Sequence, residues 1–337
     1  MADPNWLLQA VRTIHEEVRR VVVASCEQSS QARLSEIAED GDGDTIYAVD
    51  RISDSLLMKL FEEQIACREP IVLLAEGLPG GKITLPSGTR ERDAVWRVLA
   101  DPIDGTRGLM YQKRSAWILT GIAPNRGDDT TLADVELAVQ TEIPLIKQHL
   151  SDALWACKGS GARGERFNRI TGERMPLIPS PSSAGDLAHG FATIARFFPG
   201  GRDILAAIDD DIQFALLGAG LKGKAHCFED QYLSTGGQLY ELTTGHDRYL
   251  ADFRPLLGPI LLRRGWKTGL CCHPYDLCSE LIAREAGVLV TDENGQQLRC
   301  PMNLDADVSW VGYANERIRA LVEPVLHVAV RRHGLKQ

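Results

Sequence analysis

Apolar residues recur at helical intervals near the start of the chain and predict one long amphipathic helix from Trp6 to about Cys26. A second pattern of this kind begins just after Asp50 and runs to about Ile65, and Pro70 then favours extended backbone. Short apolar runs bounded by Gly, Pro and polar residues predict strands in the same half of the chain. These predicted strands cover residues 71–74, 96–99, 117–123 and 154–158.

Prolines and serines cluster at residues 176–181 and suggest a boundary between two lobes, 1–178 and 179–337. Beyond this boundary, helical patterns alternate with short apolar runs, which is typical of an α/β arrangement. The predicted helices cover residues 204–217, 238–244, 275–286 and 315–327, and the predicted strands cover residues 288–290 and 311–313. Residues 125–150 turn from polar to mixed and give the weakest pattern of the first half.

The 337 residues are 44% hydrophobic and 25% charged, which is ordinary for a globular protein of this length. A net charge of −9 argues against general nucleic-acid binding and suits a site that binds cations. No apolar run approaches the ~18 residues that cross a bilayer, and the N-terminus lacks the pattern of a signal peptide. We therefore expect a cytoplasmic protein that contacts no membrane. The eight cysteines show no CxxC spacing and are expected to be reduced thiols.

The segment Asp101-Pro-Ile-Asp-Gly-Thr106 follows a predicted strand and carries the most specific chemistry in the sequence. Two carboxylates three residues apart across a turn can converge on one point, and Mg²⁺ prefers such oxygen ligands. The Ile103 carbonyl can add a third oxygen, and the backbone N–H groups of Gly105 and Thr106 can receive the oxygens of a phosphate. A bare pair of acids with this spacing is more often a surface turn. The prediction therefore depends on the complete segment and on its position after a buried strand.

At this segment the sequence resembles the inositol monophosphatase superfamily of lithium-sensitive, magnesium-dependent phosphatases, whose signature is a strand ending in D-P-[IL]-D-G-T. The superfamily includes fructose-1,6-bisphosphatase-like and 3'-phosphoadenosine phosphatase-like members. Further segments of the chain also match family motifs. They are the segment from Asp44 to Asp50 at a helix start, Ala75-Glu76-Gly77 after a strand, Ala251-Asp252-Phe253-Arg254, and Pro274-Tyr275-Asp276 followed by Ile282 to Gly287.

The resemblance implies an α/β fold built as a layered αβαβα sandwich, in which two helices cover a large mixed sheet and a smaller sheet lies between helices. It places the site between the two lobes and implies two or three Mg²⁺ ions there. Glu76, Asp101 and the Ile103 carbonyl would hold the first ion. Asp101, Asp104 and Asp276 would hold the second.

The resemblance also implies that water attacks the phosphate directly, so that no covalent phospho-enzyme forms. Glu76 and the Thr106 hydroxyl would position the water, Asp50 would hydrogen-bond to Thr106, and Asp104 would belong to the same catalytic group. Metal ions would stabilise the negative charge of the transition state and of the leaving oxygen, and they would lower the pKa of the attacking water. The candidate substrate-binding residues are Gly105, Thr106, Arg107, Lys267 and Asp276.

Several positions depart from the family pattern. Gly77 replaces the second Glu of the family's G-E-E, which removes a carboxylate near the first metal and puts the affinity of a third ion in question. Arg107 stands where Thr is common, and it either clamps a phosphate or pairs with a neighbouring acid. Lys267 lies where the inositol enzymes carry a substrate-binding Glu, which argues against inositol phosphate. With Arg263 and Arg264 it forms a basic stretch that either holds a second phosphate or is a solvated strand end.

Three other patterns suggest chemistry but have simpler explanations. Gly159 to Gly164 fits GxGxxG, yet no apolar helical face follows it, and a hairpin is the better interpretation. Asp40 to Asp44 imitates the start of a calcium loop but lacks the Gly and the terminal Glu that such a loop needs. His273 is either a packed residue or a contact to substrate.

Our hypothesis is a Mg²⁺-dependent phosphomonoesterase that hydrolyses a small phosphorylated metabolite, for which the resemblance also suggests a homodimer. The candidate substrates are an inositol phosphate, a sugar phosphate or bisphosphate, and a nucleotide 3'-phosphate. The alternative hypothesis is a relative that binds a phosphorylated ligand without hydrolysing it and has a regulatory or assembly role. Gly77 favours this alternative, whereas the presence of both Glu76 and Thr106 argues against it.

Overall fold

The computed structural model of the chain describes residues 4–29, 37–40, 45–47, 56–218 and 225–336. Asp50 and the start of the second predicted helix lie outside these residues. A short antiparallel hairpin joins β1 (Ile37–Asp40) to β2 (Thr45–Tyr47).

The larger of the two main sheets has eight strands, in the order β10-β9-β8-β7-β6-β5-β3-β4. Only β3 and β5 pair in parallel within it, and every other pair is antiparallel. This arrangement places β5 in the interior of a mixed sheet. The strands are β3 (Ile71–Leu74), β4 (Lys82–Leu85), β5 (Trp96–Asp104), β6 (Ala116–Pro124), β7 (Leu137–Ile143), β8 (Leu150–Cys157), β9 (Ala162–Asn168) and β10 (Arg174–Leu177).

The smaller sheet has four strands in the order β11-β12-β14-β13, and its only parallel pair is β11 with β12. Its strands are β11 (Phe191–Ile194), β12 (Asp247–Asp252), β13 (Leu289–Asp292) and β14 (Trp310–Tyr313). The larger sheet therefore lies on one side of residue 178 in the chain and the smaller sheet on the other. The independence of the lobes 1–178 and 179–337 stays a prediction.

Helices separate and cover the two sheets. The described helices are α1 (Pro4–Gln28), α2 (residues 56–61, continued by the π-helical turn Glu62–Ala66), α3 (Thr106–Met110), α4 (Arg202–Leu217), α5 (Thr235–Thr243), α6 (Gly258–Arg263), α7 (Glu280–Ala286) and α8 (Glu316–Arg332).

Alternate residues of each strand face different layers, because successive side chains of a strand point to opposite sides of the sheet. On β3, Leu73 packs with the apolar face of α1, whereas Val72 packs in a second cluster with residues of α5 and α7. On β12, Leu250 faces that second cluster and Tyr249 faces a third, which α4 and α8 complete. The order of layers is therefore helix, large sheet, helix, small sheet, helix, which confirms the expected αβαβα sandwich.

Three sequence predictions differ from the structure in detail. The loop expected around residues 77–88 contains β4, whose short alternating segment Lys82–Leu85 pairs with β3. The weakly patterned residues 125–150 contain β7, which is buried on both faces and so shows no alternation. The single helix predicted for residues 275–286 is wrong, because a 3₁₀ turn, Pro274–Leu277, precedes α7.

Candidate active site

Local hydrogen bonds hold the end of β5 and the start of α3. The Ile103 N–H donates to Asp101 Oδ1 at 2.9 Å, and the Thr106 hydroxyl donates to the Ile103 carbonyl at 2.9 Å. Gly105 adopts a left-handed conformation with φ of 95° just before α3. A Cβ at this position would lie 2.9 Å from Cβ of Ser234, so both the backbone angle and the close approach favour glycine.

Asp104 is fixed against the N-terminus of α5. Its Oδ2 accepts hydrogen bonds from the Ser234 hydroxyl at 2.8 Å and from the Gly236 N–H at 2.6 Å. Ser234 is also the N-cap of α5, because its hydroxyl oxygen accepts from the Gly237 N–H at 2.8 Å. One oxygen of Asp104 is thus held by a helix terminus while the carboxylate stays within the cleft.

Asp276 reaches the same place from the 3₁₀ turn before α7. Its Oδ2 accepts from the backbone N–H of His273 at 2.6 Å, which fixes the direction of the carboxylate. The His273 ring stacks on Tyr275, with ring centroids 5.3 Å apart and an angle of 6° between the planes. His273 therefore packs beside the site and supports Asp276 through its backbone.

Carboxylate oxygens of Asp101, Asp104 and Asp276 lie within 4.8 Å of one another. Burial, followed by the charge of Asp104, raises the pKa of both Asp101 and Asp276 well above the usual range. Burial raises the pKa of Asp104 to about 6, although the Gly236 and Ser234 hydrogen bonds oppose this shift. Three acids in this arrangement repel one another, and a divalent cation with oxygen ligands is the group that would relieve the repulsion. The donor set therefore fits Mg²⁺.

The cleft contains nearly all of the sequence-predicted site residues that the structure describes. Glu76 and Gly77 follow β3 and line it, and the Glu76 charge contributes to the raised pKa of Asp101. Gly105, between β5 and α3, also lines the cleft, as do Thr106 and Arg107 at the start of α3. Lys267 lies elsewhere, in a segment in which residues 262–269 are all exposed.

Other residues of the cleft were not among the predicted site residues. Ser234 was missed because Gly236 and Gly237 weaken the helical pattern, so the helix was predicted to begin at Gln238. A Ser just before the first turn is a common N-cap, and this signal could have identified the true helix start. Additional residues that line the cleft are Phe197, Phe198, Leu233, Thr235, Arg254, Leu270, Cys271 and Tyr275.

Cys271, Cys272 and Cys278 lie near the site and are buried. Burial raises the pKa of Cys271 to about 12 and the pKa of Cys272 and Cys278 well above the usual range. All eight cysteines are free, in agreement with the expectation of reduced thiols.

No protein-family model matches the sequence, and no curated protein matches it in a sequence comparison. Solved structures do match the fold. Fructose-1,6-bisphosphatase of Leishmania major is 14% identical with a TM-score of 0.67, and the match covers 97% of this chain and 94% of that one. The extragenic suppressor protein suhB of Bartonella henselae is 16% identical with a TM-score of 0.64 and coverage of 95% and 98%. An IMPase of Thermotoga maritima is 16% identical with a TM-score of 0.60 and coverage of 97% and 99%.

The chain therefore has the fold of the inositol monophosphatases and fructose-1,6-bisphosphatases. This finding confirms, at the level of the fold, the resemblance that the segment from Asp101 to Thr106 indicated. None of the described helices combines the length and the apolar character that a membrane crossing requires.

Proposed function

We propose that the protein is a Mg²⁺-dependent phosphomonoesterase that acts on a small phosphorylated metabolite. The observation that carries the proposal is the convergence of Asp101, Asp104 and Asp276 within 4.8 Å. The fold is shared with phosphatases, which supports the same reaction class.

Each part of the site has a defined task in this proposal. Asp101, Asp104 and Asp276 hold the ions, and the Ile103 carbonyl and Glu76 complete the set. Bound Mg²⁺ would supply positive charge that activates water and stabilises the leaving oxygen. The N–H groups at Gly105 and Thr106 would receive phosphate oxygens.

Glu76 and Thr106 are the proposed water-positioning pair. The Thr106 hydroxyl donates to the Ile103 carbonyl, and in this proposal its oxygen would accept a hydrogen bond from the attacking water. Glu76 lines the same cleft and offers a carboxylate as the second acceptor.

Asp50, the proposed partner of Thr106, lies outside the described residues. Lithium sensitivity, a homodimer and a cytoplasmic location also remain predictions.

The test is release of inorganic phosphate from a panel of phosphorylated metabolites, measured with Mg²⁺ and with EDTA. We expect turnover with Mg²⁺ only, and loss of turnover in Asp276→Asn. Asp129→Asn changes an exposed acid in a loop and is the matched control, which should retain activity. Equal turnover in EDTA would contradict the metal-dependent mechanism. Binding of a phosphate ester without turnover would favour the alternative of a non-hydrolytic binding protein.

A further inference from the structure

One wall of the cleft is aromatic and has no task in the proposed reaction. Phe197 and Phe198, a few residues beyond β11, both line the cleft and are partly exposed. Their ring centroids lie 4.9 Å apart, and their planes are nearly perpendicular at 80°. Two adjacent phenyl rings facing a phosphate site form an apolar surface that a substrate can contact.

Two arginines hold this wall in place. Arg202, in the first turn of α4, donates from Nε to the Phe198 carbonyl at 2.9 Å and from its terminal nitrogen to the Phe197 carbonyl. The guanidinium of Arg254 lies over the Phe197 ring, 4.3 Å from its centroid. Arg254 is itself held by the buried Asp252 and by the Leu270 carbonyl, to which it donates at 3.0 Å. The wall is therefore largely organised before any ligand binds, which reduces the entropy that binding costs.

Arg107 connects the wall to the proposed phosphate-binding turn. It directly follows Thr106, and its guanidinium lies 5.2 Å from the centroid of the Phe198 ring. A guanidinium over an aromatic face adds a planar, positively charged surface to it. A ligand that carries a phosphate and a planar ring can therefore contact the turn and the wall together.

The polar side chains on this side of the cleft already have partners. The Ser234 hydroxyl donates to Asp104 and accepts from Gly237, and the Thr235 hydroxyl contacts the Cys272 sulfur at 3.7 Å. Arg254 is occupied by Asp252 and by the Leu270 carbonyl. A polyol placed here would lose water from its hydroxyls with few hydrogen bonds in return, and such a loss is unfavourable. The face of a planar aromatic ring carries no hydroxyl groups, so it needs no hydrogen bonds to replace those it made with water.

We propose that Phe197, Phe198 and Arg107 form a subsite for a planar aromatic ring carried by the alcohol part of the phosphate ester. The substrate class is a phosphate monoester of an alcohol with a heteroaromatic ring, of which a nucleoside monophosphate is an example. Stacking of such a ring on a phenyl face is favourable for any base, because every base has a π-face. This inference rests on the proposed phosphatase function and narrows its substrate.

A matched pair of substrates tests the subsite. Adenosine 5'-monophosphate and ribose 5-phosphate carry the same phosphate ester, and only the first has a base. We expect wild-type kcat/KM to be about tenfold or more higher for the nucleotide, since stacking on an aromatic side chain supports a difference of this size. Phe198→Ala should raise KM for the nucleotide by about the same factor with little change in kcat, because the ring contact is made equally in the ground and transition states. Phe198→Tyr keeps the ring and should behave as wild type.

The outcomes separate this inference from the proposed function. Thermal unfolding of Phe198→Ala and Phe198→Tyr reports whether each variant is folded. Equal kcat/KM for the two substrates in the wild type, or a nucleotide KM that Phe198→Ala does not alter, would overturn the subsite but leave a phosphatase. If the wild type hydrolyses neither substrate, titration of adenosine 5'-monophosphate with Mg²⁺ decides instead. Binding that Phe198→Ala weakens supports the subsite, and binding that it leaves unaltered overturns it.

Discussion

Each ionised carboxylate of the candidate metal site destabilises the folded protein when no metal is bound. Asp104 is 6% exposed and accepts two hydrogen bonds, yet burial still raises its pKa to about 6. Burial also raises the pKa of the two neighbouring acids, Asp101 and Asp276. A fold under selection for stability alone would replace such a group, so its presence here is consistent with a functional requirement.

Replacing Asp104 by Asn should separate stability from activity. The amide oxygen can still accept from Ser234 and Gly236, but the side chain no longer carries a charge. We expect the free energy of unfolding of the metal-free protein at pH 8 to rise by on the order of 2 kcal/mol. Mg²⁺-dependent phosphate release should fall by about a hundredfold or more, because a group that stabilises the transition state is lost.

Chemical denaturation in EDTA and a phosphate-release assay measure the two effects of Asp104→Asn. Asp129→Asn, which neutralises an exposed acid, should change neither quantity. A less stable Asp104→Asn protein would show that the ionised carboxylate is favourable where it lies, contrary to the raised pKa.

At the scale of secondary structure, periodicity predicted elements well where one face is buried and poorly elsewhere. The predicted helix from Trp6 to Cys26 corresponds to α1, and the strand at residues 71–74 is β3. By contrast, β7 is buried throughout, so no alternation marks it. The start of α5 was missed because two glycines occupy its first turn. The candidate metal-binding segment, Asp101 to Thr106, was predictable because its residues are adjacent in sequence, whereas the Ser234 contact with Asp104 joins distant segments.

Gly121 on β6 controls how closely the turn that carries Asp276 approaches the large sheet. A Cβ at this position would lie 2.3 Å from the carbonyl oxygen of Cys278, two residues after Asp276. In Gly121→Ala this turn must move away from the sheet, and with it Asp276 from Asp101. We expect a loss of about 1–3 kcal/mol in the free energy of unfolding and a marked fall in Mg²⁺-dependent turnover.

Gly185→Ala is the matched control for Gly121→Ala, since a Cβ there meets open space and its backbone angle is not positive. It should change stability by less than about 0.5 kcal/mol and leave turnover intact. Thermal unfolding and phosphate release of the two variants provide the comparison. Full activity in Gly121→Ala would mean that the turn tolerates the displacement.

Arg254 and Asp252 form a buried ion pair between β12 and the segment that follows it. Their side chains are 8% and 0% exposed. Arg254→Met should cost about 3–5 kcal/mol, because it leaves the Asp252 charge buried without its partner. The pair of Arg264 and Asp203 is exposed, and Arg264→Met should leave the denaturant midpoint close to that of the wild type. Similar denaturant midpoints for the two variants would show that the buried ion pair contributes no more to stability than the exposed one.

At the scale of the whole molecule, the candidate site joins parts of the chain that are far apart. Asp101 and Asp104 come from the large sheet, and Asp276 comes from the turn that precedes a helix between the two sheets. No periodicity in the sequence specifies that these segments meet, and the expectation that they do came from the family resemblance. The separation means that the complete ligand set exists only in the folded chain. Metal binding at this site would therefore be coupled to folding.

This coupling predicts that Mg²⁺ stabilises the fold in a pH-dependent way. The pKa of Asp104 in the folded protein is about 6, above its usual 3.8, so in the absence of metal its contribution to stability is full below pH 4 and is lost as pH rises through 6. At pH 8 the ionised cluster should bind Mg²⁺, and an excess of about 100 times Kd would raise the melting temperature by about 4 °C. At pH 5 protons compete for the same oxygens, and the rise should be much smaller.

Differential scanning calorimetry with Mg²⁺ or EDTA at both pH values measures this effect. Asp276→Asn should remove the Mg²⁺-induced rise at pH 8, and Asp129→Asn should keep it. A rise of equal size at pH 5 and pH 8, or one that survives in Asp276→Asn, would place the stabilising ion elsewhere. Because the readout is unfolding and not turnover, it tests whether Asp276 and the carboxylates of β5 hold a common ion, whatever the substrate is.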